Sequence, residues 1–150
     1  MSAGPHRLAT GFTTPEASPG FLLWRVTNRW QAAQRAALRP LGLTHVQFVL
    51  LASLSWLGSE DPVTQRALAD HAATDPMMTS QVVRALEAKA LLVRAAHPVD
   101  RRARAVTLTA AGRELADAAV GVVEACDREF FAALGTRAAA FTRALAALER

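Results

Sequence analysis

The sequence predicts a mostly helical fold in which two short helices and a two-stranded hairpin lie between longer helices at both chain ends. Three observations predict it. Two short helical segments, each opened by a capping residue, are separated by a turn of about three residues. The segment Leu91–Thr109 reads as strand, Arg-rich loop and return strand. Beyond it, Leu115, Ala119, Val122, Cys126 and Phe130 recur at helical spacing over roughly four turns.

Along the chain, residues 1–18 hold Pro5 and Pro15 among Gly, Ser and Thr, the composition of a flexible arm. Leu23, Val26, Trp30, Ala33 and Ala37 predict a helix over Phe21–Leu38, ended by Pro40 and Gly42. Thr44 caps a second helix to about Leu57. Its core from Val46 to Leu54 is apolar almost all round, so other elements should enclose it. Gly58 and Pro62 bound the next turn.

Thr64 caps a short helix to about Ala73, with Leu68 and Ala72 facing inward. Asp75-Pro76 opens another, Asp as N-cap and Pro in the first turn. Met78, Val82 and Leu86 form its expected inward stripe. That leaves Met77, Thr79, Ser80, Gln81 and Arg84 off the stripe and matches a helix-turn-helix. Leu91–Arg94 then reads as a strand, Ala96–Arg104 as a loop and Ala105–Thr109 as the return strand. Thr109 caps a long helix to about Leu134. Gly135 breaks it, and Arg137–Glu149 forms a last helix with Phe141, Leu145 and Leu148 inward.

The chain has 150 residues and a formal net charge of +4, with a pI near 10.9. Lys89 is the only lysine, so nearly all the positive charge is Arg. This balance suits an anionic partner without separating nucleic acid from a membrane surface. The single cysteine, Cys126, excludes an intramolecular disulfide and a Cys-only metal site. It lies on the apolar stripe of the long helix and reads as an inert thiol. His6, His45, His71 and His97 are scattered without metal-ligand spacing, and nothing argues for a metal. No phosphate loop, nucleophile elbow or paired catalytic carboxylates are present, so an enzyme is not expected. The N-terminus lacks a signal-type apolar stretch, and the longest apolar run is too short for a membrane span; a soluble cytoplasmic protein is the expectation.

Three segments carry a resemblance. Asp100-x-Arg102-x5-Leu108-Thr109-x2-Gly112, Leu43-Thr44-x2-Gln47-Phe48, and Leu86-Glu87 followed by Leu91-Leu92-Val93-Arg94 resemble the MarR (multiple-antibiotic-resistance regulator) family over about residues 18–150. Ala90 departs from the pattern, where many members carry Gly. The resemblance implies a winged helix-turn-helix with flanking dimerisation helices. The implied organisation is an arm over 1–18, a first dimerisation helix over 19–42, a DNA-binding domain over 43–109 and C-terminal dimerisation helices over 110–150. It also implies a homodimer on a palindromic operator, acting as a repressor released by a small aromatic or phenolic ligand, with no cofactor.

In such a fold the second helix enters the major groove, which nominates Thr79, Ser80 and Gln81 as base readers and Arg84 as a phosphate or guanine contact. On the wing, Asp100 is implied to pair with Arg102 and orient it for the minor groove. Arg101 and Arg104 are phosphate or groove contacts, and Arg94 a phosphate contact at the wing's base. Phe130, Phe131, Leu134, Phe141 and Leu145 are the expected dimer interface. Trp24, Arg25, Asn28, His45 and Phe48 are the expected lining of a ligand cleft. Two other readings are a constitutive DNA-binding regulator without effector, and a helical dimer whose basic loop binds another anionic partner.

Overall fold

The computed structural model describes residues 8–58 and 62–149. Six α-helices run as α1 (Pro19–Leu38), α2 (His45–Leu57), α3 (Gln65–Ala72), α4 (Pro76–Ala88), α5 (Ala110–Phe130) and α6 (Ala138–Leu148). Three strands, β1 (Val63–Thr64), β2 (Leu92–Ala96) and β3 (Arg104–Leu108), form an antiparallel sheet in the order β1-β3-β2. Short 3₁₀ turns occupy Pro15–Ala17, Arg39–Leu41 and Phe131–Arg137.

The helix starts lie where side-chain acceptors are available for orphan amides. Thr44 accepts from Gln47 N–H and Gln47 Oε1 from Thr44 N–H, each at 3.2 Å, a complete capping box. Thr64 caps α3 through Ala67 N–H at 3.0 Å, and Thr109 caps α5 through Gly112 N–H at 3.0 Å. Asp75 accepts from Met77 and Met78 at 2.9 and 3.0 Å. Helix α1 starts two residues before the expected Phe21, because Ser18 caps it through Phe21 N–H at 3.3 Å. Within the expected arm, Pro15–Ala17 forms one 3₁₀ turn and Glu16 reaches Arg25 at 3.5 Å; residues 1–7 lie outside the described residues.

The core is built around α2, whose Leu50 and Leu51 are completely buried. Leu38, Leu68, Val83, Leu86, Leu92, Val106 and Ala119 close on it from six other elements. The enclosure is not complete: Trp56, near the end of α2, is 82% exposed.

Three helical ends close in the same way. The N–H groups of Leu43, Thr74 and Leu91 donate to the carbonyls of Leu38, Ala69 and Leu86. The residues before them, Gly42, Ala73 and Ala90, stand at φ of 69°, 52° and 58°. These are Schellman closures, which favour Gly in the left-handed position. Ala90 therefore keeps the turn that Gly makes elsewhere, under steric strain.

Two expectations change. Strand β1 was not expected; Val63 and Thr64 pair with Val106 and Ala105, so the sheet has three strands. The inward stripe of α4 is Thr79, Val83 and Leu86, not Met78, Val82 and Leu86. Thr79 Oγ1 donates to the Asp75 carbonyl at 2.8 Å and meets Thr74 Oγ1 at 2.7 Å, so a polar residue is satisfied inside and the helix phase rotates. At the C-terminus, Gly135 (φ 52°, ψ −127°) breaks the chain as expected. Helix α6, expected to turn Phe141, Leu145 and Leu148 inward, buries no residue in the single chain.

Candidate nucleic-acid interface

Helix α4 packs against the core, and its inner face decides which side chains remain outside. Thr79 is fully buried, which removes it from the set of base readers. Ser80 is half-buried, while Gln81 and Arg84 are exposed. Met77 is 74% exposed and lies four residues before Gln81, on the same helical face. The outward stripe is therefore Met77, Gln81 and Arg84. Met77 lies off the expected inward stripe but was not named among the base readers; its exposure is the signal that adds it, and an apolar tip suits a thymine methyl.

The far end of α4 is tied down by charge. Arg94 Nη2 and Nε donate to Glu87 Oε1 at 3.1 and 3.3 Å, and Arg94 N–H donates to Oε2 at 3.1 Å. The Arg94 guanidinium holds the Glu87 carboxyl below its ordinary range. Arg94, expected as a phosphate contact, joins β2 to α4 through this pair. Lys89 Nζ donates to the Gly42 carbonyl at 2.7 Å and to Gln47 Oε1 at 3.0 Å, locking the exit of α4 to the start of α2.

The hairpin β2–β3 projects its tip at residues 97–103. Arg101 and Arg102 are exposed there, and Arg104 is exposed at the start of β3. Asp100 orients the tip, but not through the expected side-chain pair: its Oδ1 accepts from the backbone N–H of Arg102 at 3.1 Å. A carboxylate two residues before an amide reaches it within one turn, whereas an exposed ion pair would fix little. The base of the wing locks onto α5. Thr109 Oγ1 donates to the Ala90 carbonyl at 2.7 Å and Thr109 N–H to the Leu91 carbonyl at 3.1 Å.

The residues expected to line one ligand cleft do not converge within the chain. Trp24 is 68% exposed on the outer face of α1. Arg25 stacks over Phe21 at 5.6 Å, and Asn28 Nδ2 donates to the Trp24 carbonyl at 2.7 Å. Phe48 is in the core. His45 lines a cleft of about 440 Å³ across α1, α2 and α4, with Trp30, Arg35, Thr74 and Met78, whereas Phe48 lines a separate one of about 390 Å³ between α2 and α5. Trp30 meets the His45 ring edge-on at 4.9 Å. Burial pushes the His45 imidazole below 6.5, against the opposing pull of Asp127. Trp30 Nε1 and Gln34 Nε2 both donate to Asp127 Oδ1, at 2.7 and 2.6 Å, pinning α1 to α5. Burial likewise raises the Cys126 thiol, with Asp127 and Glu129 adding to the effect, in keeping with an unreactive cysteine.

Of the expected interface residues, Phe130, Phe131, Leu134 and Phe141 are half-buried and Leu145 is exposed. Phe131 packs on Phe130 and Phe141 at 5.1 and 5.9 Å. No three His, Cys, Asp or Glu side chains cluster for a metal among the described residues.

The sequence profile of the MarR family matches residues 43–103, from the start of α2 to the wing tip. An uncharacterized HTH-type transcriptional regulator of Bacillus subtilis, YdcH, is 46% identical over 81% of this chain and 84% of its own. The chain belongs to the MarR family. The Mycobacterium tuberculosis MarR family protein Rv2887, crystallised with DNA, superposes with a TM-score of 0.70 at 36% identity, covering 89% of this chain and 98% of that one. The same protein with salicylic acid gives 0.68 at 37%, covering 87% and 96%. CouR from Rhodococcus jostii RHA1, bound to p-coumaroyl-CoA, gives 0.78 at 29%, covering 89% and 92%. The fold is the winged helix-turn-helix of this family, with α3 and α4 as the helix-turn-helix and β2–β3 as the wing.

Proposed function

We propose that this chain is a transcriptional repressor that binds a palindromic duplex as a homodimer. The observation that carries the reading is the outward stripe Met77–Gln81–Arg84, followed directly in the chain by a wing whose tip exposes Arg101 and Arg102. Groove readout needs side chains that fold stability does not use, and these satisfy that condition. The DNA complex of Rv2887 supports the same use of the fold. Phe21, Leu22 and Leu23 are each at least 40% exposed, and Leu148 is 75% exposed, so both chain ends present apolar surface suited to a second copy.

A small aromatic acid is the effector this reading favours. The cleft at His45 offers the Trp30 ring, the Arg35 guanidinium and Met78 of the recognition helix, so an occupant would touch both α1 and α4. The salicylic acid complex of a relative supports that class, and the p-coumaroyl-CoA complex of another shares its phenolic ring. A binding role without catalysis and a cytoplasmic location complete the proposal. No single helix among the described residues is long and apolar enough to cross a membrane.

The test is selection of duplexes from a randomised pool, followed by binding titrations against salt with competitor DNA. Recovery of a palindrome, bound at dimer stoichiometry and released by a phenolic acid, is expected. Only weak, sequence-blind binding would reject the regulator in favour of a general anion-binding surface.

A further inference from the structure

The wing tip is shaped by the side chain of His97. Just past the end of β2, His97 N–H donates to the Ala103 carbonyl at 3.0 Å. Its Nδ1 then accepts from two successive amides, Val99 at 3.2 Å and Asp100 at 3.1 Å. Asp100 continues the arrangement, its Oδ1 accepting from Arg102 N–H at 3.1 Å and its carbonyl from Ala103 N–H at 3.0 Å. Each cap places the next, and the arginines of the tip stand at the end of the series. An imidazole nitrogen accepts only through its lone pair, so Nδ1 carries no proton here and the ring's proton sits on Nε2.

We propose that His97 is a positioning residue for DNA recognition: as the neutral imidazole it fixes the loop that presents Arg101 and Arg102, and its protonation releases that loop. A proton on Nδ1 turns the shared acceptor into a donor facing two other donors. The inference rests on the reading that the wing contacts DNA. The charged groups around it are Asp100, Arg101, Arg102 and Arg104 on the hairpin, and Arg94 with its partner Glu87 at the base. Asp100 is the one acid of the tip. Added charge on His97 would by itself strengthen attraction to phosphates, so loss of shape and gain of charge have opposite signs. That difference makes the proposal testable.

Asn provides the discriminating substitution. Its carbonyl accepts amides two and three residues on, as His97 does, and it cannot titrate. Wild type, His97→Asn, His97→Ala and Arg102→Ala would be titrated against a fluorescein-labelled palindrome recovered from the randomised pool, at fixed ionic strength. At about pH 8 the Ala variant should bind ~10-fold more weakly, the size expected for two lost caps, and the Asn variant like wild type. At about pH 5.5 wild type should fall several-fold below His97→Asn, because a proton on Nδ1 removes the acceptor shared by the Val99 and Asp100 amides. In the free protein the Val99 and Asp100 amides should become mobile in acid, by heteronuclear NOE, in wild type and not in His97→Asn. Wild-type affinity for the Ala variant, or wild type equal to or tighter than the Asn variant in acid, would overturn the proposal. Undiminished binding by Arg102→Ala would instead remove the wing reading beneath it.

Discussion

The carbonyl oxygen of Leu91 lies 1.9 Å from where a Cβ on Gly112 would stand. Helix α5 therefore begins in backbone contact with the segment that enters β2, and only a residue without a side chain fits. Helix propensity alone would favour Ala at this position by about 1 kcal/mol. The clash has the opposite sign and falls on backbone, which cannot move aside as a flexible side chain can. Gly112→Ala is expected to destabilise the protein by about 3 kcal/mol, measured by urea denaturation. A neutral or stabilising result would show that the wing and α5 can separate.

Ala73 and Ala90 sit at positive φ in turns that Gly closes without strain, as Gly42 does in this chain. Left-handed backbone costs Ala roughly 1–2 kcal/mol, while Gly loses some of that gain through the freer unfolded chain. Ala90→Gly and Ala73→Gly should each stabilise by about 0.5–1 kcal/mol. For a domain of this size that raises Tm by about 1–4 °C, compared at equal protomer concentration.

Thr79 is a structural residue in this account and Gln81 a DNA-facing one. Thr79→Val keeps the shape and removes the hydroxyl shared by Asp75 and Thr74, so it should lower stability by about 1 kcal/mol and leave DNA affinity nearly unchanged. Gln81→Ala should do the reverse, weakening binding by ~1–3 kcal/mol with an unchanged melt. Thermal denaturation and anisotropy titrations of the two variants, side by side, check the separation.

The Trp30–Asp127–Gln34 pin also has a predicted consequence. Asp127→Ala leaves the Trp30 and Gln34 donors unpaired, Gln34 being fully buried, and should cost about 2–3 kcal/mol. Beside it, His45 is held below 6.5 by burial. The unfolded chain then takes up a proton that the folded chain refuses. This contribution to stability is whole above pH 6.5 and is lost as pH falls from there towards the lowered folded value. Tm between about pH 7 and pH 5 should therefore decline less steeply in His45→Gln than in wild type.

Much of this was legible because capping is local. Thr44, Thr64, Asp75 and Thr109 each satisfy amides two or three residues away, and all four helix starts follow from them. Strand β1 was not legible, since two residues carry no period and exist as a strand only through Val106 and Ala105. The phase of α4 was misread because Thr79 is polar by type but satisfied by its own turn. The resemblance implied a side-chain pair for Asp100 and a phosphate for Arg94 at the wing's base, whereas geometry gave the first a backbone amide and the second Glu87. On α1, periodicity marked an apolar face but carried no information on what covers Trp24.

In the proposed function α4 and the wing read duplex DNA, and the other helices position them. Anisotropy titration of Arg102→Ala against the palindrome selected by the wild type tests it most directly. The expected result is binding weakened at least ~10-fold, an unchanged dimer mass and an unchanged Tm. Wild-type affinity in that variant, or failure of the wild type to select any palindrome, would contradict it.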